Sequence, residues 1–269
     1  MRVMMTGAAG GIGSMIRKDF AKLYPGLVLS DLVPPKDLGP EERFVKADLA
    51  DLAQVEAALE GIEAVAHFGG FSVEGPWETI LQANIIGCYN LFEAARRKGV
   101  KRIVFASSNH AMGFYPRHQP VGTDAVVKPD SRYGVSKVFG EGLGALYADK
   151  HGMGVLSIRI GNVALAPVDE RRLAIWLHPE DLLQLIHIGF TYPGLAHEVV
   201  YGASFNRRAW WDNTRAYVMG YRPKHRAEDH AAAALANQAK IPPDAVADYF
   251  QGGTFCADEF TGVPPERIV

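Results

Sequence analysis

The chain has 269 residues, 48% of them hydrophobic and 22% charged, enough for one large α/β domain with its own core and far from a disordered composition. A formal net charge of −2 removes the electrostatic case for a nucleic-acid partner. Two cysteines, Cys88 and Cys256, exclude a disulfide framework and any CxxC metal site.

The strands expected from β-rich runs are 2–6, 27–31, 43–46, 62–68, 102–107 and 155–160. Amphipathic helical stretches lie between them near 12–23, 51–60, 77–98 and 132–150. Apolar strands alternating with helices imply right-handed βαβ crossovers, hence a doubly wound parallel sheet of Rossmann type. The clusters Arg96-Arg97-Lys98 and Lys101-Arg102 read as a helix end facing its own dipole and a solvated loop. After residue 160 the alternation loosens. A helix is expected at 178–190, with Pro179 at its first position and Glu180 and Asp181 in its first turn, and a further strand at 197–203. The expected organisation is a single domain over 1–269, in which roughly 163–269 forms a small substrate-binding cap. The first residues enter a strand at once, with no basic-then-apolar leader, and no apolar run approaches membrane-spanning length. A cytoplasmic protein without a membrane partner is the expectation.

"TGAAGGIG" (6–13) follows the first strand and opens the first helix, spacing Gly7, Gly10 and Gly13 as G-x-x-G-x-x-G. Glycines there let backbone N–H groups approach a pyrophosphate at the helix N-terminus, although structural turns also produce such spacings. Asp31 ends the second strand, where a carboxylate accepts hydrogen bonds from ribose hydroxyls and repels a 2′-phosphate. The first basic residue after it is Lys36, so NAD is favoured over NADP. Asp48 and Leu49 suit an adenine contact, and "HFGG" (67–70) suits a backbone floor under the cofactor. The expected cofactor surface therefore comprises Gly7, Gly10, Gly11, Ile12, Gly13, Asp31, Val33, Asp48, Leu49, Phe68, Gly69, Gly70 and Val163, joined by Tyr133 and Lys137.

"RYGVSK" (132–137) sets Tyr133 and Lys137 at i and i+4, on one face at the start of a helix. A free phenol, with a pKa of about 10, is too weakly acidic for a base at neutral pH, and a neighbouring ammonium favours its ionised form. The pair alone is a weak signal. Upstream, "FASSNHAMGFYP" (105–116) ends a strand in Ser107, Ser108, Asn109 and His110, which adds the polar group such chemistry needs.

Together these pieces resemble the short-chain dehydrogenase/reductase superfamily in its extended branch. The resemblance runs through "TGAAGGIG", "DL" (48–49), "NIIGCYNLFEAAR" (84–96), "VFASS", "YGVSK" and "RIGN" (159–162). It implies an NAD(P) cofactor and a Ser–Tyr–Lys arrangement. Ser108 then matches the catalytic serine, Tyr133 the acid/base, and Lys137 the residue that assists it and holds the nicotinamide ribose. Asn84 matches an asparagine that supports the lysine through water. His110 is not needed as the base; it is either a structural histidine or a substrate contact.

The details resemble a narrower family, the NAD-dependent uronate dehydrogenases, in "FASSNH", in "GFYP" with Phe114 at the variable place, in "GGFSVEGPWETILQANIIG" (69–87), in "WWDN" (210–213) and in "FQGGTF" (250–255). The short stretch after the sixth strand also leaves little room for a nucleotide-diphosphate sugar. That resemblance implies oxidation of the C1 hydroxyl of a pyranose-form hexuronic acid to the aldarolactone. Its substrate contacts would be Ser72, Ser108, Asn109, His110, Tyr133, Asn162 and Arg171. Arg171 would meet the carboxylate, its neighbour Arg172 being the alternative, and Asn162 stands where the family has a serine. No metal is expected, and a homo-oligomer is left open. The rival readings are a nucleotide-sugar epimerase or other sugar dehydrogenase of the same branch, and a catalytically silent NAD-sensing regulator.

Overall fold

The computed structural model describes residues 1–265. Strand and helix alternate first as β1 (Val3–Thr6), α1 (Gly11–Leu23), β2 (Val28–Asp31), β3 (Arg43–Lys46), α2 (Leu52–Ala58), β4 (Ala64–His67), α3 (Trp77–Ile80), α4 (Gly87–Lys98), β5 (Arg102–Ser108), α5 (Arg132–His151) and β6 (Gly154–Ile160). Then come β7 (Asn162–Val163), α6 (Glu170–Ile175), β8 (Trp176–Leu177), α7 (Pro179–Thr191), β9 (His197–Gly202), α8 (Thr214–Val218), α9 (Ala231–Gln238) and α10 (Thr254–Ala257).

Seven strands form one sheet in the order β3-β2-β1-β4-β5-β6-β9, and every pairing is parallel. This is the expected doubly wound sheet. Strand alternation divides the core between its faces. Met5, Leu29, Val104 and Leu156 pack on one side with Ile16 and Phe20 of α1 and Leu182, Ile186 and Phe190 of α7. Their neighbours Met4, Val28, Ile103 and Val155 point the other way, onto Leu59, Leu91, Phe92 and Leu143. Each such fully buried side chain contributes about 1.5–3 kcal/mol, so the two faces hold the strands in register.

The helix ends follow local chemistry. The Asp51 side chain accepts from the N–H groups of Ala53 and Gln54 to start α2, and Ser131 accepts from Gly134 to start α5. Gly99 and Gly152 end α4 and α5 in the left-handed conformation. The basic cluster at the end of α4 does more than face a dipole. Arg97 and Lys98 donate to Glu56 and Glu60, both at 2.7 Å, and so tie α4 to the α2 region. Arg102 opens β5, as the strand expected from 102 requires, and the solvated reading of its side chain is corrected, because the guanidinium donates to the Tyr192 carbonyl at 3.1 Å.

Two further differences matter for the site. The stretch 77–98, expected as one helix, is α3, a π-helical turn over Leu81–Ile86, and α4. Such i→i+5 turns recur near functional sites, and this one carries the buried Asn84. Beyond residue 160, β9 extends the main sheet beside β6 and α7 covers the same face as α1. A separate small cluster of Leu173, Trp176, Ala227 and Ala234 binds α6 to α9. The last four residues of the expected 163–269 cap lie outside the described residues. Among those described, no helix is long and apolar enough to cross a membrane.

The chain winds outward from β1 in one direction through β2 and β3, and in the other through β4, β5, β6 and β9. The crevice of such a sheet opens at the carboxyl ends of the strands where the winding reverses. Thr6, Asp31, Ser108 and Ile160, which end β1, β2, β5 and β6, line a cavity of about 860 Å³ there.

Candidate active site

One end of the cavity is mostly main chain. α1 begins at Gly10 without any side-chain cap, so its first N–H groups face outward, an arrangement suited to a phosphate. Gly7 has φ +72°, and a Cβ there would lie 2.5 Å from the Phe68 carbonyl carbon. On Gly13 a Cβ would lie 2.3 Å from the Gly7 carbonyl oxygen and 2.8 Å from the Ala8 Cα. Neither position admits another residue without moving backbone. Gly10, Gly11 and Ile12 line the cavity with them. Asp31 is pinned beside this loop, accepting from the N–H groups of Ala9 at 2.9 Å and Leu32 at 2.7 Å. Val33, Asp48 and Leu49 border the same end, and Phe68, Gly69, Gly70 and Val163 continue the wall inward.

Behind the wall, the Thr6 hydroxyl pairs with His67 Nδ1 at 2.7 Å and accepts from the Gly69 N–H at 3.2 Å. Burial, aided by the charge of Lys137, pushes the His67 imidazole down to about 3, so it stays neutral at physiological pH. It braces the floor and exchanges no proton there.

The other end is built from side chains. Ser108, at the last position of β5, accepts from the His110 N–H at 3.2 Å and lines the cavity. Tyr133 and Lys137 line it from the first turns of α5, with the ammonium 5.2 Å from the centre of the phenol ring. Lys137 also donates to the Ala106 carbonyl at 2.9 Å, which fixes the helix against β5. Ser107, pointing to the opposite face, donates to Glu141 at 2.6 Å. Glu141 in turn pairs with Arg159 at 2.8 Å, a buried ion pair under the end of β5.

Ser72, Asn109, His110, Asn162 and Arg171 also reach the cavity. Asn109 donates to the Ile160 carbonyl and accepts from Arg171 Nη2, each at 3.1 Å, in the amide orientation that satisfies both neighbours. Arg171 donates through Nε to the Gln251 carbonyl at 2.8 Å. Burial, with the like charges of Arg172 and Arg117, pulls its guanidinium down to about 10, still a cation at neutral pH. No carboxylate among the described residues pairs with it. Arg172, which also touches the cavity, is by contrast held in an ion pair with Asp169, the N-cap of α6.

Asn84 does not line the cavity. Its amide nitrogen donates to the Phe71 carbonyl at 2.9 Å and to Ser136 Oγ at 3.0 Å, and its oxygen accepts from the Phe71 N–H at 2.7 Å. It therefore ties the loop before Ser72 to the helix of Tyr133, contacts the motif did not foretell.

Several residues of the site lie in the quoted motifs without a role that the motifs assign. Thr254 and Phe255 line the cavity, and the Phe255 ring stacks on His110 with centroids 3.8 Å apart. Glu74 accepts from the Tyr133 N–H at 2.9 Å and pairs with Arg132 at 2.7 Å. The buried Gln251 donates to the Pro116 and Gln119 carbonyls and accepts from Trp211 Nε1, so "GFYP", "WWDN" and "FQGGTF" meet at one residue. The double glycine before an aromatic in "FQGGTF" was the available signal.

Comparison with known proteins agrees with this geometry. Residues 3–177 match the NAD dependent epimerase/dehydratase family. The uronate dehydrogenase of Pseudomonas putida is 45% identical over 94% of this chain and 95% of its own. A mutant of the uronate dehydrogenase from Agrobacterium tumefaciens, solved in complex with NAD, is 44% identical with a TM-score of 0.90, covering 95% of this chain and 97% of that one. A glucuronic acid dehydrogenase from Chromohalobacter salexigens has 44% identity and a TM-score of 0.91, covering 95% and 96%. The chain belongs to the NAD dependent epimerase/dehydratase family and, within it, to the uronate dehydrogenases.

Proposed function

We propose that this chain oxidises the C1 hydroxyl of a pyranose-form hexuronic acid, galacturonate or glucuronate, to the aldarolactone with NAD. The observation that carries the reading is Arg171, a cation with no carboxylate partner among the described residues, in the cavity that also holds Ser108, Tyr133 and Lys137. A guanidinium so arranged suits a ligand carboxylate, which it can hold by two parallel hydrogen bonds.

In this reading Tyr133 takes the proton of the C1 hydroxyl and Ser108 holds the same oxygen. The ammonium of Lys137 favours the negative charge that develops on the phenol and would hold the cofactor's nicotinamide ribose. Arg171 holds the C6 carboxylate, while Ser72, Asn109, His110 and Asn162 hold ring hydroxyls. Asn84 acts through Ser136 and the Phe71 backbone as a positioning residue. NAD, when bound, supplies the hydride acceptor. The residues fit it: the uncapped start of α1 with Gly7, Gly10, Gly11, Ile12 and Gly13 would hold the pyrophosphate, Asp31 and Val33 the adenosine ribose, and Asp48 and Leu49 the adenine. Phe68, Gly69, Gly70 and Val163 would wall the inner part. Two buried free cysteines suit the reducing cytoplasm.

The test is NAD reduction measured against free uronic acids, neutral sugars and UDP-sugars. Uronates should turn over, with neutral aldoses nearly ignored. Conversion of a UDP-sugar to its epimer without net NADH would make the chain an epimerase. NAD binding with no turnover on any sugar would make it a sensor.

A further inference from the structure

His110 is held by a residue that no motif singled out. Its Nδ1 lies 2.7 Å from Asp130 Oδ2, and the Asp130 side chain is 0% exposed. Asp130 lies just ahead of α5, and its N–H donates to the His110 carbonyl at 3.2 Å. Its second oxygen, Oδ1, accepts from the Ser131 hydroxyl at 2.7 Å, and Ser131 in turn caps the helix that carries Tyr133. The chain closes around this carboxylate. A Cβ on Gly113 would lie 1.8 Å from Asp130 Oδ2, and one on Gly252 2.0 Å from it. The His110 ring is also clamped between Phe255, stacked at 3.8 Å, and the edge of Tyr133 at 5.9 Å.

A carboxylate can only accept, so the imidazole nitrogen facing it carries the proton. Burial holds the His110 pKa below its ordinary value despite the opposing pull of Asp130, which favours the neutral ring. The remaining nitrogen, Nε2, then bears a lone pair, in a residue that lines the cavity. A fixed lone pair selects a donor, and sugar hydroxyls are the donors a uronate brings.

We propose that Asp130 is a positioning residue that fixes His110 as the Nδ1–H tautomer, so that Nε2 accepts a hydrogen bond from one ring hydroxyl of the sugar. The same carboxylate, through Ser131, sets the start of the Tyr133 helix, so the hydroxyl reader and the proton acceptor share one anchor. The identity of the donor rests on the uronate reading above; the tautomer does not.

The test separates the two. Long-range 1H–15N correlation on full-length protein labelled at histidine, saturated with NAD, reads the tautomer directly, with His110→Gln to assign the signal. Wild type should show Nδ1–H; Nε2–H in the wild type would overturn the proposal without any variant. In Asp130→Asn, the Ser131 hydroxyl keeps the amide oxygen and the amide N–H group faces Nδ1, so His110 should switch to Nε2–H. That exchange of a carboxylate for an amide beside a histidine produces the wrong tautomer in serine proteases as well. The kcat/KM for uronate should then fall by about 10–100-fold, the scale of one hydrogen bond to a buried partner, with KM for NAD unchanged. Monodeoxy uronates, taken one position at a time, locate the hydroxyl. Wild type and Asp130→Asn should differ on all of them except the analogue lacking the hydroxyl read by Nε2. An equal loss on every analogue, or an unchanged tautomer in the variant, would reduce Asp130 to a structural carboxylate.

Discussion

At the proposed cofactor end of the cavity the groups open to a ligand are mostly main-chain N–H groups, held by glycines within one turn of β1. At the sugar end they are side chains drawn from the loop after β4, from β5 and the turn after it, and from α5, α6 and α10, segments spread from residue 72 to residue 255. The first arrangement is local and rigid, because its shape follows from which residues lack a Cβ. The second is assembled by tertiary packing, because each side chain is aimed by a partner far away in sequence. Arg171 is aimed by Gln251, His110 by Asp130, and the Tyr133 helix by Glu74. Substitutions at the sugar end should therefore alter chemistry and selectivity while leaving NAD bound, and those at the cofactor end should do the reverse.

Tyr133→Phe gives the largest expected effect. It removes the proposed proton acceptor and almost no volume, so kcat should fall by about 10²–10⁴-fold, with the Kd for NAD unchanged in a fluorescence titration. Near-normal turnover in this variant together with an inactive His110→Ala would move the base to His110.

Arg171→Lys comes next. Loss of the bidentate fork should weaken kcat/KM for uronate by roughly 1–3 kcal/mol, or about 5–150-fold. The parent aldose, with a neutral C6 hydroxymethyl, should lose much less. Equal loss on both sugars would mean that the guanidinium serves the Gln251 carbonyl rather than a ligand.

Asp31→Ala should have the smallest effect and lies at the other end. The wild type should prefer NAD because a 2′-phosphate beside this carboxylate meets like charge. The variant should narrow the gap mainly by weakening NAD, by about 10-fold, the scale of one charge-assisted hydrogen bond. Comparable wild-type kcat/KM for NAD and NADP would break the assignment, and a change in the uronate KM alone would break the division between the two ends.

The same difference governs what could be read beforehand. The doubly wound sheet follows from short, continuous apolar runs separated by amphipathic helices, and those patterns are local. Gly7, Gly13 and Asp31 were legible because one turn of chain defines their geometry, and the spacing of Tyr133 and Lys137 because one helix face does. The π turn at Asn84 was not legible, since "LQANII" reads as continuous helix and only the contacts to Phe71 and Ser136 reward the wider turn. Asp130 sits in an ordinary "KPDS" loop, and nothing nearby in sequence indicates that Gly113 and Gly252 leave space for its carboxylate. Phe255 lies within "FQGGTF", but its stacking on His110 depends on the closure of a chain segment more than a hundred residues long.

That closure has a consequence for the order in which the protein matures. The segment around Gln251 is sewn to the loop after β5 by Arg117, whose N–H groups donate to the Ala247 and Tyr249 carbonyls, and by the Gly252 N–H, which donates to the Gly113 carbonyl. During synthesis the glycine turn, β1 to β6 and the Tyr133 helix all leave the ribosome well before this segment does. A chain arrested short of residue 250 can thus own a dinucleotide cleft before it owns a place for a sugar acid. Released nascent chains of increasing length should gain NAD binding first and uronate-dependent NADH production only once Phe255 has emerged.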